Sequence, residues 1–338
     1  MKRGIVVGKF YPFHSGHAHL IRSACAQSDQ VTVLVVDRST QVFTGEERAQ
    51  WIREVFPQVE VRVMRDIEKD DDSQTWADYT VSFLGYHPDV VFTSEDYGEP
   101  YARYMGATHV LVDRERNTIP ISATQIRENP YAKWEYLSAP VRARLARRIA
   151  IVGAESTGTT TLARDLARHY ETVWTPEFGR FYTEGKLTAT LSWQTEEFVF
   201  IAEGQNRLED EYARHSNRVL ICDTNAWATR LWHERYLGHM APTVDEQALR
   251  RRYDFVFLTG DEIPFEQDGM RDGEHIRHDM HQRFETLLKA EGIEYRVLRG
   301  NREKRLQDAI DICDRLLMTG RDIFEQFPRE ERLTRVSV

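Results

Sequence analysis

Short, continuous apolar runs and stretches with an apolar residue every third or fourth position alternate along this chain. In its first half the runs are 4–7, 31–36, 89–93 and 109–112, and 59–64, which alternates apolar and charged residues, is a further strand. Runs without polar alternation read as strands buried on both faces. Between them, 18–26 carries Leu20, Ile21 and Ala24 at helical spacing, and Ala49, Ile52, Val55 and Phe56 form a second stripe after Thr44-Gly45-Glu46-Glu47, a capping-box pattern. A third helix is expected over 76–84. Residues 133–145 read as a connecting helix broken at Pro140. The second half repeats the alternation: strands at 148–152, 219–224, 254–258 and 294–298, a further strand starting at Val173, and helices over 162–170, 193–214 and 302–318. Strands alternating with helices predict parallel sheets with right-handed crossovers. The fold class is therefore α/β with two parallel-sheet domains. We place them at 1–130 and 148–327, with a linker at 131–147 and a charged tail at 328–338.

Ligands in such sheets bind beyond the carboxyl ends of the strands. The first such end is Gly8-Lys9-Phe10-Tyr11-Pro12-Phe13-His14-Ser15-Gly16-His17. A helix N-terminus there offers free backbone N–H groups to a phosphate. His14 and His17, three residues apart, can point the same way, and Gly16 allows close approach of a ligand to the backbone. Residues 94–98 form a second loop at such an end. Ile121-Ser122-Ala123-Thr124-Gln125-Ile126-Arg127 combines a capping-box spacing with two hydroxyls and a guanidinium, a donor set suited to polyphosphate. Trp76, at a helix start, suits stacking on a flat ring or packing in a core.

In the second half, strand 148–152 runs into Gly153-Ala154-Glu155-Ser156-Thr157-Gly158-Thr159-Thr160-Thr161 and then a helix. This is the context of a phosphate-binding loop, with Gly153 and Gly158 at the required spacing. Thr159 stands where that pattern has lysine. The backbone amides still form an anion cradle, and Thr160 falls at the Mg²⁺ hydroxyl position. Arg180, Lys186 and Arg271 are the candidate replacement cations. Glu177 ends a strand beside Arg180, a reasonable acceptor site. Asp223 ends an apolar strand, where it can hold Mg²⁺. Residues 265–271 read as a phosphate-closing lid.

Composition narrows the function classes. The 338 residues carry 45 basic and 54 acidic side chains, a net charge of −9. That balance argues against a nucleic-acid binder, so Arg142, Arg144, Arg147 and Arg148 read as a solvated face or a domain interface. No apolar run is long enough to span a membrane, and no signal peptide precedes the first strand. Cys25, Cys222 and Cys313 lack metal spacing and read as buried thiols of a cytoplasmic protein.

Residues 8–17 resemble the Gly-x-Phe-x-Pro-x-His-x-Gly-His signature of the nucleotidyltransferase superfamily, and residues 121–127 resemble its second signature, Ile-Ser-x-Thr-x-x-Arg. The resemblance implies a Rossmann-like first domain. It implies that His14 and His17 stabilise the triphosphate during attack on the α-phosphate of ATP, with Lys9 as an added cation and Gly8 and Phe10 in the nucleotide site. It also implies that Ser122, Thr124 and Arg127 hold the β- and γ-phosphates, and it favours Trp76 as a stacking surface for nicotinamide mononucleotide. A nucleotidyltransferase domain followed by a P-loop domain with Glu-Phe-Gly-Arg, Asp-Thr and Asp-Gly-Met-Arg segments resembles the NadR family over nearly the whole chain. Those proteins are bifunctional nicotinamide-nucleotide adenylyltransferases and ribosylnicotinamide kinases, and this chain shows no N-terminal helix-turn-helix. The implied partners are ATP, nicotinamide mononucleotide, nicotinamide riboside and NAD, with Mg²⁺ as cofactor. The kinase site would use Gly153, Ser156, Thr157, Gly158, Thr159, Thr160, Thr161 and Arg271, with Glu177 and Asp223 as catalytic residues. A degenerate, regulatory second domain, an NAD-sensing binding protein and a different acceptor stay open, as does a homo-oligomer.

Overall fold

The computed structural model describes residues 1–69, 72–186, 192–267, 273–318 and 320–325. The chain divides into two compact units. One holds residues 1–141 with the described residues after 318, and the other holds 142–318.

In the first unit the strands are β1 (Arg3–Gly8), β2 (Gln30–Asp37), β3 (Glu60–Arg65), β4 (Val90–Thr93) and β5 (Thr108–Leu111). All pair in parallel, in the order β3-β2-β1-β4-β5. Val6 faces Val33 on one side and Phe92 on the other, so the apolar runs meet at the sheet's centre. The second unit has β6 (Arg147–Val152), β7 (Trp174–Thr175), β8 (Val219–Asp223), β9 (Phe255–Thr259) and β10 (Tyr295–Leu298), ordered β10-β9-β6-β8-β7 and again parallel. Successive residues of β6 feed opposite cores: Ile149 and Ile151 join one cluster, Ala150 and Val152 the other. That is why this strand carries no polar alternation. Each fully buried aliphatic or aromatic side chain here contributes about 1.5–3 kcal/mol.

Chain order reverses across β1 in the first sheet and across β6 in the second. Each reversal opens a crevice at the carboxyl ends of its strands, and the two glycine-containing loops follow β1 and β6.

Several elements differ from the sequence reading. The first helix starts earlier than 18, at Ser15–Gln27, because the His14 side chain itself caps it, accepting from the Gly16 N–H at 3.1 Å. Gly16 serves this cap: a Cβ there would stand 2.9 Å from His14 Cε1. The single connecting helix is instead a 3-10 segment, Tyr131–Tyr136, and a helix, Ala139–Leu145. Pro140 sits in that helix's first turn, where a missing N–H removes no bond. Arg147 is spent on Asp254 at 2.7 Å, and Arg148 on Asp210 and the buried Glu209. The three cysteines are free thiols. Among the described residues no helix is long and apolar enough to cross a membrane.

Candidate active sites

The turn after β1 gathers the first site. His14 and His17 stack with ring centroids 3.7 Å apart. Phe10 meets His17 edge-on at 5.0 Å, and Phe13 lies parallel to it at 6.2 Å. Phe10 is itself buried, so its side chain props His17. Burial, with Arg116 and Arg127 beyond it, holds His14 down to about 3. Burial, then His14 and Arg116, holds His17 well below the ordinary value. Both effects favour the neutral rings near pH 7, and the buried Nδ1 of His17 has no hydrogen-bond partner among the described residues.

Cavities adjoin the pair, and among the described residues His17 lines each of the following three. The largest, about 430 Å³, also holds Gly8, Lys9, Trp76 and Tyr97. The second, about 190 Å³, holds His14, Arg116, Ser122 and Thr124. The third, about 300 Å³, holds Lys9, Tyr11 and Arg127. Every residue expected in the first site thus lines this set of cavities. Their side chains are partly engaged, however. Ser122 and Gln125 complete a reciprocal capping box. Arg127 donates to the Tyr11 carbonyl at 2.7 Å and to Thr124 Oγ1 at 2.9 Å, and Lys9 Nζ lies 3.9 Å from Asp66. Trp76 is half-buried: its ring packs on the core cluster and edges the largest cavity, while its N–H donates to the Lys69 carbonyl at 2.8 Å.

Two residues of this site escaped the sequence reading. Arg48 is fully buried and donates to the carbonyls of Lys9, Val36 (3.1 Å), Phe43 (3.2 Å) and Thr44 (3.2 Å) and to Asp37 (3.0 Å). It fixes the signature loop against β2. Arg116 stands on a loop with no motif. The only sequence hint for Arg48 was a charged residue within an otherwise apolar helical stripe.

The loop after β6 gathers the second site. Gly158 and Ser156 have φ of 86° and 58°, the left-handed turns that aim successive amides at one point. A Cβ on Gly153 would stand 2.1 Å from Thr259 Oγ1, so the loop requires glycine there. Thr160 Oγ1 donates to Asp223 Oδ2 at 2.5 Å. Thr157 is buried and turns its hydroxyl to the Ala154 carbonyl and Thr259, bracing the loop from within. Gly153, Ser156, Gly158, Thr159, Thr160, Thr161, Glu177 and Arg180 line a cavity of about 210 Å³. Its far wall is aromatic, with Trp193, Phe198, Trp232 and Tyr236. The spacing of these rings, 193 to 236, hid that wall from sequence reasoning.

Burial, and then Asp223, push Glu177 up to about 7, with Arg180 opposing. Asp223 is also raised by burial, and the Thr160 and Thr159 hydroxyls draw it back. Of the candidate cations, Arg180 lines the cavity. Lys186 instead binds Glu197 at 2.7 Å and covers the Trp193 ring. Arg271 lies outside the described residues, as does much of the expected lid.

Comparison with known proteins follows the same division. The Cytidylyltransferase-like family matches residues 5–129 and the AAA domain family matches 148–305. The trifunctional NAD biosynthesis/regulator protein NadR of Escherichia coli K12 is 32% identical over 291 residues, covering 79% of this chain and 71% of that protein. The chain belongs to the NadR family. NadR of Salmonella typhimurium LT2 gives the same identity and coverage. The nicotinamide-nucleotide adenylyltransferase of Thermococcus kodakarensis is 28% identical over 136 residues, 38% of this chain and 71% of that one. The NadR fold itself is shared: a crystal structure of NadR protein in complex with NR superposes with a TM-score of 0.76 at 23% identity, covering 93% of this chain and 96% of that one. A NadR complex with NAD and AMP-PNP gives 0.73 at 20%, covering 94% and 96%.

Proposed function

We propose that this NadR-family chain makes NAD in two steps, one in each unit. The second unit phosphorylates nicotinamide riboside with ATP, and the first joins the resulting nicotinamide mononucleotide to the adenylyl group of ATP, releasing pyrophosphate. The observation that carries this reading is that each unit sets an anion-cradling loop at its sheet's reversal point beside an aromatic wall: Trp76 and Tyr97 in one, Trp193, Trp232 and Tyr236 in the other. A phosphate with a flat ring attached fits both. The relatives named for NAD biosynthesis and for nicotinamide-nucleotide adenylyl transfer support it.

In the first site the acceptor phosphate attacks the α-phosphorus of ATP and the bond to the β-phosphate breaks. No covalent intermediate is needed, because positioning and charge neutralisation suffice. His17, at the meeting of the three cavities, and His14 donate to the phosphate oxygens. Thr124 and Arg127 hold the leaving pyrophosphate, with Ser122 shaping the helix end and Lys9 and Arg116 adding charge. In the second site Glu177 takes the proton from the ribose hydroxyl as it attacks the γ-phosphorus, and the bond from that phosphorus to the β-phosphate breaks, releasing ADP. The Thr160–Asp223 pair fits Mg²⁺ chemistry, one hydroxyl and one buried carboxylate with the nucleotide supplying the remaining oxygens. Bound there, the ion would neutralise phosphate charge. Free thiols at all three cysteines suit a cytoplasmic enzyme.

A regulatory second unit is the alternative, and Thr159 at the lysine position favours it. Two parallel assays with Mg²⁺-ATP decide between them, one with nicotinamide riboside and one with nicotinamide mononucleotide, products being separated by chromatography. Conversion of both supports two enzymes in one chain. Conversion of the mononucleotide alone leaves the second unit as a sensor, and conversion of neither refutes the acceptor assignment.

A further inference from the structure

The loop 153–161 receives polyphosphate without the ammonium that its pattern normally provides, since Thr159 occupies that place. Positive charge has to reach the loop from elsewhere in the chain. Two arginines well beyond it in sequence do so from the side of its carbonyls. Arg277 and Arg305 are each 5% exposed. Nη2 of Arg277 donates to the carbonyl of Ser156 at 3.3 Å and to those of Asp261 (3.2 Å) and Ile263 (2.9 Å). Nη1 of Arg305 donates to the carbonyl of Thr157 at 2.8 Å. Two successive peptides of the loop therefore turn their oxygens to buried guanidiniums. In a trans peptide the C=O and N–H point in opposite directions, so the N–H groups of Thr157 and Gly158 are turned to the loop's other side. A guanidinium on the carbonyl also polarises the same peptide's N–H, which strengthens it as a donor.

The two arginines differ in charge balance. Arg305 is matched by Glu262 at 2.7 Å. Arg277 makes no ion pair among the described residues, and its guanidinium lies 5.6 Å from the Phe265 ring. A buried, unmatched cation is unfavourable unless an anion arrives, and the anion that this loop is shaped for is phosphate.

We propose that Arg277 is a positioning residue that takes over the charge of the missing lysine, acting on the nucleotide through the Ser156 peptide, with Arg305 as its charge-paired brace. The inference deepens the kinase reading of the same site. Its test is a double-mutant cycle between Arg277→Gln and Thr159→Lys, read by calorimetric titration of the full chain with ATP, which needs no turnover. The wild type should show two ATP sites. Arg277→Gln should weaken one of them by about tenfold or more and leave the other unchanged. Thr159→Lys should restore that site in the Arg277→Gln background and add little to the wild type. Where nicotinamide riboside is phosphorylated, kcat/KM for ATP should follow the same pattern, while KM for the riboside stays constant.

Unchanged ATP binding in Arg277→Gln overturns the proposal, and so does weakening that Thr159→Lys fails to restore, the mark of a purely structural brace. If Arg277→Gln does not fold, Arg277→Lys decides. All three carbonyl bonds come from one nitrogen, so an ammonium with three donors can replace it, and binding within about threefold of wild type is expected. Loss of ATP binding in a folded Arg277→Lys refutes the charge role. A wild type that binds ATP at both sites but phosphorylates nothing refutes the kinase reading, and the cycle still reads the proposal.

Discussion

At the scale of single residues, His14 ties stability to pH. Its folded pKa of about 3 lies below the unfolded value of 6.5, so the unfolded chain takes up its proton first. Its contribution is therefore complete above pH 6.5 and is lost as pH falls toward 3, at up to about 1.4 kcal/mol for each pH unit. His17 acts in the same direction. Melting temperatures measured from pH 7 to pH 4 should fall in the wild type and fall less in His14→Gln. His17→Ala should abolish adenylyl transfer in a coupled NAD assay, and undiminished NAD synthesis would place that chemistry elsewhere. Arg48→Met should lower stability by about 3–5 kcal/mol, because it strips the donors from four carbonyls and leaves the Asp37 carboxylate without its guanidinium. Denaturant unfolding measures this directly.

At the scale of elements, the strand–loop–helix of the second unit depends on glycine at two positions for different reasons. Gly158 is left-handed at φ 86°, and alanine there is strained by about 1–2 kcal/mol. Gly153 lacks room for any side chain against Thr259. Either substitution to alanine should raise KM for ATP in the kinase assay and leave adenylyl transfer intact. The segment carrying Glu177 is held by the helix Thr195–Ala213, where Gln205 Oε1 accepts from the Phe178 N–H at 2.9 Å. Because Glu177 titrates near 7 and acts as a base only when ionised, kcat/KM for nicotinamide riboside should rise with pH through about 7 and then level. Glu177→Gln should remove that rise along with most of the activity. A profile that is flat between pH 6 and 8 would assign the base elsewhere.

At the scale of the molecule, two sheets with separate cores make two separable activities the expectation. Asp223→Asn should remove riboside phosphorylation and leave adenylyl transfer to added mononucleotide, whereas His17→Ala should do the reverse. Loss of both activities from either change, in a protein that keeps its melting temperature, would refute the division of labour.

The sequence alone determined the strands, because runs such as 149–152 and 219–222 are apolar throughout and only a doubly covered parallel sheet accepts them. It also determined both phosphate loops, because a glycine turn, a helix start and polar side chains are local in sequence. What tertiary structure decided was every group delivered from a distance: Arg48 and Arg116 at the first site, the Trp193–Tyr236 wall and the Arg277 and Arg305 guanidiniums at the second. It also decided strand order, hence which ends open a crevice. A buried arginine reads in the sequence like any exposed one, since what separates them is the ring of carbonyls that only the folded chain assembles around it.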